Sequence, residues 1–136
     1  MEYRTLTPHE VSRDWKFLSK LILTSIDMDV DGAETIDECY HCLMSGDMQC
    51  HVSSTAIRHF QTVVITQLTV GETAKIATIC YIGTKGKLED LRDMMPAIED
   101  WARVEECTVI RIHGRPAWKK IFPDYQLSFV AISKRL

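Results

Sequence analysis

Cys107-Thr108-Val109-Ile110-Arg111-Ile112-His113 runs directly into Gly114-Arg115-Pro116-Ala117-Trp118-Lys119-Lys120-Ile121-Phe122-Pro123-Asp124-Tyr125. The first half is a β-branched, apolar run of the kind that forms a strand. Gly114-Arg115-Pro116 breaks it, and Pro116 stands where its missing N–H and fixed φ suit the first turn of a helix. The stretch therefore predicts strand, tight turn, short helix and a further strand at about residues 126–133. The open question is which sheet these strands join.

Working back from Cys107, Leu88, Leu91, Met95, Ile98, Trp101 and Ala102 recur at helical spacing. They predict an amphipathic helix, with a kink or a late start at Pro96. A helix between two strands of one sheet allows a parallel crossover. Before it, Met48 to Val52, Phe60 to Thr69 and Ala74 to Ile82 have a period of two, with Gly71-Glu72 as a turn, so an antiparallel meander is expected. At the N-terminus, residues 2–6 alternate as a strand. Thr7-Pro8-His9-Glu10 is a capping box with Pro in the first turn, opening a helix that buries Val11, Trp15, Leu18, Leu21, Ile22 and Ile26 and runs to about Ile26. A second box, Thr35 to Glu38, opens a shorter helix with Cys39, Cys42 and Leu43 inward and Gly46 as terminator. The order is β-α-α-β-β-β-α-β-α-β, an α+β chain. It predicts one domain over residues 1–136, with a mixed, mostly antiparallel sheet between two helical layers.

With 136 residues, 46% of them hydrophobic and 26% charged, one core without staples is expected. No window approaches the apolar length of a membrane span, and Met1-Glu2-Tyr3-Arg4-Thr5 lacks the pattern of a signal peptide, so an intracellular location is expected. Five cysteines scattered through helices and strands read as reduced thiols that pack as small hydrophobes. The net charge of −3 is unevenly spread. Leu21 to Ile57 has seven carboxylates and no Lys or Arg, while Arg111, Arg115, Lys119 and Lys120 crowd the deciding stretch with His113. This asymmetry can steer a partner, although solubility is its commoner role. Nucleic-acid binding is not indicated, and an oligomer is compatible with the composition.

The element order is similar to the GNAT fold of acyl-CoA N-acyltransferases over nearly the whole chain. The closer likeness is to a branch of small GNAT-like proteins encoded by tailed bacteriophages and prophages. It rests on Gly46-Asp47-Met48-Gln49, Val63-Val64-Ile65-Thr66, Ile98-Glu99-Asp100-Trp101-Ala102, Gly114-Arg115, Trp118 and Tyr125. In catalytic relatives, the resemblance implies, a Gln/Arg-x-x-Gly-x-Gly/Ala loop after the fourth strand holds the CoA pyrophosphate on backbone N–H groups. Here that place is taken by Gly83-Thr84-Lys85-Gly86-Lys87-Leu88. Gly86 matches the central glycine, Gly83 falls where Gln or Arg belongs, and Leu88 where a small residue belongs. A divergent phosphate loop using both lysines is one reading; a turn with solvated lysines is the favoured one. The family's general-acid Tyr, which protonates the departing thiolate, falls at Lys120, and the chain has no Asn.

Three further constellations stand out. Asp27, Asp29, Asp31, Gly32 and Glu38 fit a calcium loop, but Glu34 replaces an apolar residue and Glu38 doubles as a cap, so a solvated acidic loop is favoured. Cys39-Tyr40-His41-Cys42 with Cys50-His51 has zinc-ligand types, yet Cys50 and His51 should point to opposite faces of a strand, which favours packing. His113 is the candidate general base, and Arg115, Trp118, Lys120 and Tyr125 are candidate ligand or interaction residues. The favoured alternative for them is structural.

The leading expectation is a phage-encoded GNAT-fold protein without catalysis, a binding or virion-assembly component. It would need no cofactor and would work with protein partners in the host cytoplasm or the phage particle. The alternative is an acetyl-CoA-dependent N-acyltransferase with a divergent phosphate loop.

Overall fold

In the computed structural model, residues 1–26, 35–113, 122–126 and 134 are described, with backbone only for 24–26. The elements are β1 Glu2–Leu6, α1 Pro8–Arg13, α2 Trp15–Ile26, α3 Ile36–Ser45, β2 Met48–Ala56, β3 His59–Val70, β4 Lys75–Thr84, α4 Leu88–Val104 and β5 Val109–Ile112. The expected last helix and last strand lie outside the described residues. Among the described residues the sheet has five strands in the order β1-β2-β3-β4-β5. Its first three pairings are antiparallel, and β5 joins β4 in parallel through α4. This is the mixed sheet read from the strand–helix–strand pattern.

The two helical layers cover opposite faces. Val11, Leu18, Leu21, Ile22, Cys39 and Leu43 from α1, α2 and α3 pack on Cys50, Val52, Val63 and Ile65. On the other face Leu91, Met94, Met95 and Ile98 of α4 pack on Val64 and Ile79. Alternation along each strand sorts neighbours accordingly: Cys50 joins the first core, while the His51 ring meets Trp101 of α4 edge-on at 4.4 Å. Cys39 and Cys50 are buried thiols, as packing predicts.

The N-terminal capping box forms as read: Thr7 Oγ1 accepts from the Glu10 N–H and the Thr7 N–H donates to Glu10 Oε1. Thr35 caps α3 by accepting from the Glu38 N–H, and Gly46 ends that helix with a left-handed φ of 87°. Pro96 lies inside a continuous α4. The lost backbone bond costs about 3 kcal/mol, and burial of Leu91, Met94, Met95 and Ile98, at roughly 1.5–3 kcal/mol each, outweighs it.

One expectation is corrected. The continuous helix from Pro8 to about Ile26 is two helices, α1 and α2, divided at Asp14. The cause is a long-range tie. The Asp14 carboxylate, 1% exposed, accepts from Arg13 at 2.9 Å and faces Arg58 Nε at 3.1 Å in the β2–β3 turn. The Arg13 hydrogen bond, with Arg58 beside it, holds the Asp14 carboxyl below its ordinary value against the opposing effect of burial. Arg58 itself has a left-handed φ of 61°.

Candidate functional site

The expected site lies where β4 ends and the chain turns into α4. The β4–β5 ladder runs from Ile76↔Val109 to Ile79↔Ile112, whereas β4 continues to Thr84. The β3–β4 register shifts at the same level: Thr66 faces Ile79 and Ile65 faces Tyr81, which leaves Cys80 as a bulge. β5 gives way to His113, whose N–H donates to the Ile79 carbonyl at 3.0 Å and whose side chain is exposed. Tyr81 packs with the α1–α3 core and Ile112 with the α4 core, so these two lie on opposite faces.

Gly83 is buried against α2. A Cβ built on it would stand 2.0 Å from the Leu21 carbonyl oxygen, so the bare glycine is what lets α2 lie on β4. Thr84 follows, its Oγ1 2.9 Å from Thr62 Oγ1.

Backbone N–H groups of the following loop are what a pyrophosphate requires, and those of Lys85, Gly86 and Lys87 are engaged within the chain. Lys85 N–H donates to the Gln61 carbonyl at 2.8 Å. Gly86 N–H donates to Thr84 Oγ1 at 3.1 Å. Lys87 N–H donates to Asp90 Oδ2 at 3.0 Å, and the Asp90 N–H returns to the Lys87 carbonyl. Asp90 therefore lays a carboxylate on the N-terminus of α4, whose first turn also carries Glu89. The same oxygen would be 2.1 Å from a Cβ on Gly86. Gly86 thus admits the aspartate rather than leaving an open cradle. The Lys85 and Lys87 side chains are exposed.

Charge decides what this loop can hold. A helix N-terminus favours an anion by about 1 kcal/mol. Two unit negative charges 4 Å apart at a protein surface repel by about 4 kcal/mol. The Asp90 carboxylate opposes a phosphate at this helix end, while the Lys85 and Lys87 side chains of the same loop attract one.

Tyr125 is a tether. Its hydroxyl donates to Glu99 Oε1 of α4 at 3.1 Å, and its ring lies 5.5 Å from the buried Phe122. Burial, then the Glu99 carboxylate, pushes the phenol well above its ordinary value. A phenol so held is a poor proton donor to a thiolate near neutral pH.

Arg115, Trp118 and Lys120 lie outside the described residues, as do Asp27, Asp29 and Asp31 of the acidic loop. Glu38 sits in the first turn of α3. Among the described residues no group of three or more His, Cys, Asp or Glu is arranged to hold a metal.

Sequence reasoning missed Asp90. Lys87-x-x-Asp90 has the spacing of a capping box, but Lys at the cap conceals it. It also missed a directed hydrogen-bond chain between the sheet and α4. Gln49 Nε2 donates to the Gly46 carbonyl, so its Oε1 accepts from Thr66 Oγ1 at 3.0 Å. Thr66 Oγ1 then accepts from His51 Nε2 and His51 Nδ1 accepts from Thr5 Oγ1, each at 2.8 Å. These partners stand on three different strands, beyond any local pattern.

No family model and no curated protein matches the chain. Solved structures do, over its whole length. A ribosomal-protein-alanine N-acetyltransferase from Brucella melitensis biovar Abortus 2308 superposes with a TM-score of 0.70 at 10% identity, covering 100% of both chains. This is the GNAT fold. An aminoglycoside acetyltransferase from an uncultured soil metagenomic sample, in complex with trehalose, gives 0.73 at 8% identity over 99% of this chain and 95% of that one. A possible acetyltransferase from Clostridium difficile 630 gives 0.70 at 11% identity over 99% and 97%. Likeness at such identities carries the GNAT architecture and leaves the chemistry to the residues. No described helix is long and apolar enough to cross a membrane.

Proposed function

We propose that this GNAT-fold chain is a non-catalytic binding protein, of the phage-encoded branch its motifs resemble, acting with a protein partner in virion assembly in the host cytoplasm or the particle. The supporting observation is the Asp90 carboxylate on the Lys87 N–H, with the Lys85 and Gly86 N–H groups also engaged. These engaged N–H groups support a loop that does not take a CoA pyrophosphate. The Lys at position 120 and the absence of Asn support the same reading. The phage context rests on the motifs alone.

A second reading is an acetyl-CoA-dependent N-acyltransferase in which Gly83 to Lys87 form a divergent phosphate loop and His113 is the base. It is favoured by the Cys80 bulge and by the β4–β5 ladder ending at Ile79 while β4 continues.

Calorimetric titration with acetyl-CoA separates the two. The wild type should give no saturable heat, which places any dissociation constant above about 1 mM, while Asp90→Ser should gain measurable affinity as the repelling charge is removed. Saturable binding by the wild type makes the acyltransferase the working function.

A further inference from the structure

Among the described residues β1 is an outer strand, in register with β2 alone. Outer strands are templates for another chain, and proteins blunt them with short length, charged side chains, Pro or a bulge. Glu2-Tyr3-Arg4-Thr5-Leu6 is short and carries Glu2 and Arg4, but it has no Pro, and its register with β2 is unbroken, so the charges decide which partner strand it accepts. Leu6 enters the α1–α3 core, so by alternation Glu2 and Arg4 share that face while Tyr3 and Thr5 lie on the α4 face. Arg4 is held there by ion pairs to Glu10 and Glu2. A guanidinium has donors enough for a further carboxylate.

The charges on this strand are self-complementary about Tyr3. An antiparallel second copy centred on Tyr3 sets Glu2 opposite the partner's Arg4, and Arg4 opposite the partner's Glu2. A parallel copy would set Glu2 on Glu2 and Arg4 on Arg4. Opposite charges directly across a strand pair are favourable and like charges unfavourable, so the strand selects the two-fold antiparallel arrangement. On the α4 face a cavity of about 50 Å³ opens beside this strand, lined by Thr5, His51, Ala97 and Ile98 among others. In the same register the partner's Met1, an exposed residue, falls opposite Thr5 at that opening.

We infer that β1 is a self-association strand: two copies join by antiparallel β1–β1 pairing about Tyr3 into one continuous sheet, with a Glu2–Arg4 pair on each side of the two-fold axis. This stands whether or not the chain is an enzyme.

Sedimentation equilibrium tests it. The wild type should be dimeric at about 100 μM, and Glu2→Arg, which sets like charges across the seam twice by symmetry, should weaken the dimer by about tenfold or more. Arg4→Glu should do the same; because it also removes the Glu10 ion pair, its fold is checked by circular dichroism, and Glu2→Arg carries the test by itself. Mixed in equal amounts, the two variants are complementary at both positions and should form a heterodimer. A monomeric wild type at that concentration, a dimer unmoved by Glu2→Arg, or two monomeric variants that fail to pair would each overturn the inference.

Discussion

Gly83→Ala lowers the stability of this protein by about 3 kcal/mol, the upper end of the usual cost of overpacking, and its melting temperature by roughly 10 °C. The added methyl would stand 2.0 Å from the Leu21 carbonyl oxygen and 2.5 Å from its carbon, which are backbone atoms of α2. Rotation of a side chain cannot relieve such a clash. Either α2 lifts from β4, opening the core around Leu18, Leu21 and Ile22, or β4 shifts and strains its ladder with β3. Gly71→Ala is the control: its Cβ would lie 3.3 Å from the Ala74 carbonyl oxygen in a surface turn, where a small shift relieves the contact. Thermal unfolding of both variants checks the account. Equal, small losses would mean that α2 does not approach β4 as closely as described.

Between pH 6.5 and pH 4 the protein loses about 3 kcal/mol of stability through His51 alone. The imidazole is 2% exposed, and burial pushes its pKa down from 6.5 to about 4. Its two nitrogens are committed to Thr66 and Thr5, and its ring lies against Trp101. A His with a lowered folded pKa is neutral in the folded state where the unfolded chain is already protonated. The unfolded state therefore binds more protons in this window, so stability is complete above pH 6.5 and falls as the pH drops towards 4. The carboxyls of Glu10 and Asp14 have lowered values and contribute their losses below the ordinary carboxylate range. Urea unfolding at a series of pH values should give a slope between pH 6.5 and 4.5 that flattens in His51→Gln. The same slope in both proteins would show that His51 is accessible to protons in the folded state.

What the sequence made legible was local. Thr7-Pro8-His9-Glu10, Thr35 with Glu38, and Gly46 announce helix ends because a cap is satisfied within four residues of itself. The period of two through Met48, Phe60 and Ala74 marks three strands, and the helix before Cys107 implies the parallel crossover that the β4–β5 pairing shows. Apart from the Asp90 cap, hidden by the Lys at position 87, the missed features are set by residues far apart in the chain. Asp14 divides a helix whose periodicity is unbroken, because Arg58 in a distant turn meets its carboxylate. Gly83 looked like part of a phosphate loop, and its reason is the backbone of Leu21. His51 looked like a possible metal ligand beside Cys50; its bonds to Thr5 and Thr66 appear only once three strands are aligned. The glycine and lysines of the β4–α4 loop were visible in the sequence. Their N–H groups go to three different acceptors, the Gln61 carbonyl, Thr84 Oγ1 and Asp90 Oδ2, and only the last stands at a spacing that a local motif describes.

The N–H groups from Lys85 to Lys87 are engaged within the chain, and the proposal that the protein does not catalyse acyl transfer requires that they do not open to a pyrophosphate. The most direct measurement is a titration of the ¹⁵N-labelled protein with acetyl-CoA, following the backbone amide resonances of Lys85, Gly86 and Lys87. The account predicts that these three stay in place up to about 1 mM ligand and that, in Asp90→Ser, Lys87 moves first. Saturable shifts centred on Lys85 to Lys87 in the wild type would contradict it and show that the loop receives the cofactor despite Asp90.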